Sequence, residues 1–156
     1  FSYDFNNDAV KNRSNMGNYM TNDIGFYSTN ISTIFIDAMY KHKGFSFMGE
    51  YAYRDANDPY AKNSDGSLTG DIVQVGSGLN LQSGYLVSKT FEISGRYTNI
   101  NWDKTVTGKG AENQYTLGVS KYIVGHKLKF QTDISYLDLA DNTDQLMYRF
   151  QVDIHF

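Results

Sequence analysis

The sequence predicts an all-β protein, an antiparallel transmembrane β-barrel to which this chain contributes about eight strands. Three observations predict it. Apolar and polar residues alternate with a period of two, over segments near the roughly 9–11 residues that a tilted strand needs to cross a bilayer. Tight turns and long polar loops follow one another along the chain, the asymmetry of an outer-membrane barrel. Aromatic side chains collect near the ends of the predicted strands, where a membrane has its two interfaces with water.

Composition agrees. Among 156 residues are 13 Tyr, 10 Phe and 14 Gly, but one Pro and no Cys, a balance that favours strands over helices. The lack of Cys excludes a disulfide framework and thiolate metal sites. A net charge of -3 without a basic block lacks a nucleic-acid footprint, so no nucleic-acid partner is expected. No stretch approaches the roughly 18 apolar residues of a membrane-spanning helix, so a membrane would be crossed by strands.

In chain order, strands are predicted near residues 1–6, 30–41, 45–55, 72–86, 90–102, 114–124, 127–136 and 145–156. The last is the clearest: Leu146, Tyr148, Phe150, Val152, Ile154 and Phe156 alternate with Gln145, Met147, Arg149, Gln151, Asp153 and His155. The strand before it places Leu128, Phe130, Thr132, Ile134 and Tyr136 on one face and Lys127, Lys129, Gln131, Asp133 and Ser135 on the other. Tight turns are expected at His42-Lys43-Gly44, Ser88-Lys89 and Val124-Gly125-His126, and polar loops at 7–29, 56–71 and 103–113. With the final strand ending in the periplasm, all tight turns are periplasmic and all long loops extracellular, in a bacterial outer membrane.

The apolar series includes Ile34, Ile36, Ala38 and Tyr40; Phe45, Phe47, Tyr51 and Tyr53; Val73, Val75, Leu79 and Leu81; Phe91, Ile93 and Tyr97; and Tyr115, Leu117 and Val119. Lys121 is the one charge in it, near a turn where its ammonium can snorkel to headgroups. Trp102, with Tyr53, Tyr97, Tyr115 and Tyr136, is expected in the upper aromatic girdle. A soluble sandwich or lipocalin-like barrel, with its apolar face inward, would show the same parity. Strand length, loop asymmetry and the girdles favour lipid outside.

The opposite face supplies the candidate pore-lining residues: the cations Lys41, Arg54, Arg96, Lys127, Lys129 and Arg149 and the carboxylates Asp37, Glu50, Glu92, Asp133 and Asp153. So even a mixture implies weak ion selectivity or internal ion pairs, because a selective constriction needs a ring of one sign. Gly76 and Gly78 on this face either widen a channel, let a loop or plug approach the wall, or bend the sheet. His42, His126 and His155 fall in turns or at the rim, away from the outer loops, so no catalytic residue and no enzymatic activity is expected. Asp55, Asn57 and Asp58, or Asn63, Asp65 and Asp71, lack the spacing of an EF-hand loop. They read as solvated loops, and no metal or cofactor is expected.

Tyr40-Lys41-His42-Lys43-Gly44-Phe45-Ser46 with Gly49-Glu50-Tyr51, and Tyr115-Thr116-Leu117-Gly118-Val119-Ser120-Lys121-Tyr122, resemble the C-terminal half of the phosphate-selective porin O and P family. The resemblance implies that 1–156 is the C-terminal portion of a single larger barrel of about 16 to 18 strands, with Phe1 a cut end. It further implies a homotrimeric, water-filled channel for passive diffusion of small hydrophilic solutes or anions, phosphate among them. Tyr148, Phe150, Val152, Ile154 and Phe156 resemble the C-terminal signal read by the barrel assembly machinery. Expected partners are therefore that machinery, outer-membrane lipid and lipopolysaccharide. The alternative is a complete eight-stranded barrel with a packed interior, an anchor or adhesin, closed by pairing Phe1, Tyr3 and Phe5 beside the final strand.

Overall fold

A computed structural model describes residues 1–124, 127–140 and 143–155. Its elements are β1 (Ser2–Ala9), β2 (Lys11–Arg13), β3 (Met16–Tyr19), β4 (Thr21–Asn22), β5 (Gly25–Phe26), β6 (Thr29–His42), β7 (Phe45–Ala56), β8 (Tyr60–Lys62), β9 (Leu68–Ile72), β10 (Gly76–Ser88), β11 (Phe91–Trp102), α1 (Lys104–Thr107), β12 (Ala111–Tyr122), β13 (Leu128–Asp138) and β14 (Asp144–Ile154). Eight long strands form one antiparallel sheet in the order β1-β6-β7-β10-β11-β12-β13-β14. The sheet is open, with β1 and β14 as its edges among the described residues, so the pairing that would close an eight-stranded barrel is not made. Phe156 and His126 lie outside the described residues.

The hairpin between β6 and β7 shows how local sequence sets the register. Its two central residues, Lys43 and Gly44, have φ of 46° and 84°, the positive pair that a two-residue turn needs to match strand twist. Gly accepts that geometry freely, whereas Lys43 sits in it at a steric cost.

The chain divides into two compact units. The first comprises Phe1–Ile36, Tyr51–Gly78 and Asn101–Gly110, and the second comprises Asp37–Glu50, Leu79–Ile100 and the described part of 111–156.

The first unit departs from expectation. The segments read as solvated loops are built structures, with three short hairpins pairing β2 with β3, β4 with β5 and β8 with β9. Ala9, Met20, Ile31, Ala61, Val73 and Val75 form a buried core, against which Tyr27, Ala56 and Val106 pack. Backbone bonds tie distant parts of the chain together: Gln74 N donates to Asn12 O at 2.9 Å, Val73 N to Pro59 O at 2.8 Å and Asp103 N to Val75 O at 3.1 Å. Helix α1 is capped by Asp103, which accepts from Thr105 N at 2.9 Å, and stops at Gly108 with φ 68°.

This core corrects several readings. Val73 and Val75 belong to it and not to the outer face of a strand, because β10 begins only at Gly76. Gly76 has φ 140°, and a Cβ there would collide with the Asn101 carbonyl, so close backbone approach explains this glycine better than a widened channel. Trp102 is half-buried, with Lys109 Nζ 5.5 Å from its ring centroid.

Side chains of opposite charge and matched donors also hold this unit. Lys62 Nζ lies 2.6 Å from Asp58 Oδ2, and Asp23 accepts from Ser64 N at 2.8 Å and from the Ser64 hydroxyl. The hydrogen bond from Lys62 holds the Asp58 carboxyl below the usual carboxylate range, and the Ser64 bonds do the same for Asp23. Burial and the neighbouring Asp58 push the Tyr27 phenol up to about 12. Because folding lowers both carboxyl values, the stability they add is complete above the ordinary value of about 4 and is lost as pH falls below it, through the folded values. Amide exchange across 56–71, corrected for intrinsic rates, is therefore expected to stay slow near neutrality and to accelerate below about pH 4. Unchanged protection there would contradict these roles.

In the second unit the expected parity is met by the pairing. Leu117 lies opposite Ile134, and Ile134 opposite Tyr148; Phe130 lies opposite Val152, and Thr132 opposite Phe150. The exposure of the two faces is the reverse of a soluble sheet. On the apolar face Leu117 is 59% exposed, Ile134 49% and Phe150 65%, whereas on the polar face Ser135 is 0% exposed and Ser120 6%. Among the described residues no second layer covers the apolar face of these strands. Soluble proteins bury the apolar side of a sheet.

Candidate pore-lining face

The polar face of the second unit begins with residues that sheet register puts opposite one another. Asp133 pairs with Arg149, and Lys129 with Asp153, on β13 and β14. Same-face partners across an antiparallel pair stand close enough for side chains to meet. Arg149 Nε accordingly donates to Asp133 Oδ1 at 3.0 Å and Oδ2 at 3.2 Å, and Lys129 Nζ lies 3.1 Å from Asp153 Oδ2. Four of the eleven predicted residues are thus joined in two ion pairs.

The remaining candidates are met mainly by neutral groups. Tyr122 donates its hydroxyl to Glu92 Oε2 at 2.5 Å. Asn80 Nδ2 donates to Glu50 Oε2 at 2.8 Å, and Thr98 Oγ1 to Asn80 Oδ1 at 3.2 Å. Gln131 Nε2 donates to Ser120 Oγ at 3.1 Å, while Thr116 and Ser135 share a 2.8 Å bond. Asp37, Lys41 and Lys127 are exposed. Arg54 belongs to the first unit, where its Nε donates to Thr33 Oγ1 at 3.2 Å.

Arg96 stands apart. Its Nε is buried and has no acceptor among the described residues, although a buried donor left unmet costs about 1–3 kcal/mol. It borders a depression of about 180 Å³, lined also by Gln82, Ser94, Gln131, Asp133 and Arg149. The wall thus offers several donors and one carboxylate that is already engaged by Arg149.

Sequence reasoning singled out the charges and placed Gln131 on their face, but missed Asn80, Thr98, Ser120 and Tyr122, which bond to them, to Gln131 or to one another. The signal was available, since all alternate with the apolar series of their strands. Neutral polar residues carry no separate chemical mark, so only parity could have found them. Among the described residues no group of three or more His, Asp or Glu side chains converges as metal ligands.

These features define an all-β chain built on an eight-stranded antiparallel sheet with one polar and one exposed apolar face. No family model matches the chain, and no curated protein or solved structure matches it.

Proposed function

We propose that this chain is part of the wall of a bacterial outer-membrane porin, with the apolar face against lipid and the polar face lining a water-filled channel. The reading rests on one observation: apolar side chains of β12 to β14 such as Leu117, Ile134 and Phe150 are exposed while Ser120 and Ser135 on the reverse face of β12 and β13 are buried. A sheet so arranged has its apolar side matched to hydrocarbon and its polar side matched to water. The open edges at β1 and β14 carry unpaired backbone groups, which in a bilayer must be met by further strands. Sixteen or more strands would enclose an aqueous channel, whereas eight would leave an interior filled by side chains.

In this reading small hydrophilic solutes diffuse passively. The charges within Asp133–Arg149 and Lys129–Asp153 offset each other, so anion preference is weak, and the exposed Lys41 and Lys127 are the cations open to a passing anion. The resemblance to phosphate-selective porins extends the proposal to phosphate and to a homotrimer, and the terminal series from Tyr148 to Phe156 extends it to the barrel assembly machinery. The same ion pairs favour one second reading, a packed polar interior in a structural anchor or adhesin.

Planar-bilayer conductance of the full-length protein separates the two. Large, stable steps are expected of the porin, and their absence at every voltage and in every solute would refute it. Arg149→Glu is expected to move the reversal potential toward cation preference, because it replaces a positive group on the lumenal wall and leaves Asp133 uncompensated. In a packed interior the same change would chiefly lower stability.

A further inference from the structure

Charge is sorted along the strands. At their tight-turn ends, Leu86 N donates to Gly44 O at 2.9 Å, Tyr122 N to Thr90 O at 2.9 Å and His155 N to Lys127 O at 2.8 Å, so these connections lie side by side. They carry Lys41, Lys43, Lys89, Lys121, Lys127 and Lys129, all but the last of them exposed. Glu92 and Asp153 are the carboxylates there among the described residues. The Tyr122 hydroxyl donates to Glu92, and Lys129 pairs with Asp153. The five exposed lysines have no carboxylate partner among the described residues.

The opposite strand ends are acidic. Segments 7–29, 54–71, 103–113 and the described part of 138–144 hold ten carboxylates against six cations. Asp8, Asp23, Asp55, Asp65, Asp103 and Asp144 are exposed, whereas Lys62 is paired with Asp58 and Lys11 and Lys109 lie over the Tyr19 and Trp102 rings. Strand β6 alone runs 14 residues from one end to the other, about 45 Å at a rise of roughly 3.3 Å per residue. Tilted by about 45°, it still separates the ends by about 30 Å. The Debye length is about 10 Å at 0.1 M salt, so the two fields do not cancel.

We infer that the channel rectifies ion current: its loop-side mouth fills with cations, its turn-side mouth fills with anions, and it passes more current when the loop side is positive. This rests on the porin reading proposed above. A charged cleft with low-dielectric walls concentrates its counter-ions by about tenfold or more. With the loop side positive, cations enter through the acidic mouth and anions through the basic one, and both accumulate inside. Under the opposite voltage each ion must enter by the mouth that repels it, and the interior is depleted. In the strand middles Arg149 pairs with Asp133, so no block of one sign there masks the contrast between the ends.

The test is the current–voltage curve of single channels of the full-length protein in a planar bilayer of phosphatidylcholine, measured in potassium chloride in an Ile24→Cys background. Ile24 is 78% exposed, so a bulky thiol reagent added afterwards to one chamber marks the loop side by a step in current. At 0.1 M salt the current with the loop side positive is expected to exceed that at the opposite voltage by about twofold, a modest share of the counter-ion enrichment at the mouths. The ratio should fall close to one at 1 M, where the Debye length is about 3 Å. Lys43→Gln with Lys89→Gln, and separately Asp55→Asn with Asp65→Asn, should each lower the ratio, while shifting ion preference in opposite directions, toward cations and toward anions. A ratio near one at 0.1 M, a larger current with the loop side negative, or a ratio that survives 1 M salt or both pairs of changes would overturn the rectifier and leave the porin reading standing. No conductance at any voltage would overturn both.

Discussion

Ile134→Arg is expected to prevent stable assembly in a bilayer, while Gln131→Arg, on the same strand but the other face, is expected to be tolerated. Ile134 is half-exposed and lies between Leu117 and Tyr148 in register, in the middle of the apolar face. If that face meets hydrocarbon, an arginine there costs about 2–4 kcal/mol near the midplane of a barrel wall. Gln131 pairs with Ser120 and Gln151 on the polar face, where another cation meets water and nearby carboxylates. A soluble sheet would show little effect, because replacing an exposed isoleucine by arginine at a water-facing site is usually neutral within about 0.5 kcal/mol. The measurement is urea-dependent folding into vesicles for both variants. Normal folding of Ile134→Arg would refute lipid contact on this face.

The second large effect concerns the packed segments of the first unit. Met20→Ala is expected to destabilise that unit by about 2–5 kcal/mol, the range for removing a large buried aliphatic side chain and leaving a cavity. Met20 is 1% exposed and packs in one core with Ile31, Ala61 and Val73. Its backbone N–H donates to Val10 O at 2.9 Å, and its carbonyl accepts from Tyr27 N at 3.0 Å, so the residue holds two stretches of chain as well as filling space. Limited proteolysis reads the result: cleavage within 7–29 and 56–71 should become much faster in Met20→Ala, with the long strands of the second unit still protected. Met16→Ala is the control, since Met16 is 74% exposed and should change cleavage little. Equal cleavage of Met20→Ala and the unmodified protein would mean that these segments are not held by their core.

The sheet was legible in the sequence because period-two alternation is a local property. Each of the eight long strands was anticipated, and parity put Lys129, Asp133, Arg149 and Asp153 on one face, although the register of β13 with β14 was not read beforehand. The ion pairs Asp133–Arg149 and Lys129–Asp153 follow in turn from register, although only the face of each residue was read beforehand. The first unit was not legible in the same way. Its core residues Ala9, Met20, Ala61 and Val73 come from segments with no sustained period, among Asn, Asp, Gly and Ser that mark turns. Such a composition reads as solvated loop unless distant hairpins meet.

What the sequence determined by itself was therefore the β class, the strands, their turns and which side chains share a face, since these depend on neighbours one or two residues apart. Only the tertiary structure decided which face is covered. Parity is identical whether the apolar side turns inward or outward, and the difference appears only in Leu117, Ile134 and Phe150 standing exposed while Ser120 and Ser135 are buried. It also decided that Val73 and Val75 serve a core between hairpins and that Gly76 admits the Asn101 carbonyl. Burial is set by what packs against a residue, and for these residues the partners lie far away along the chain.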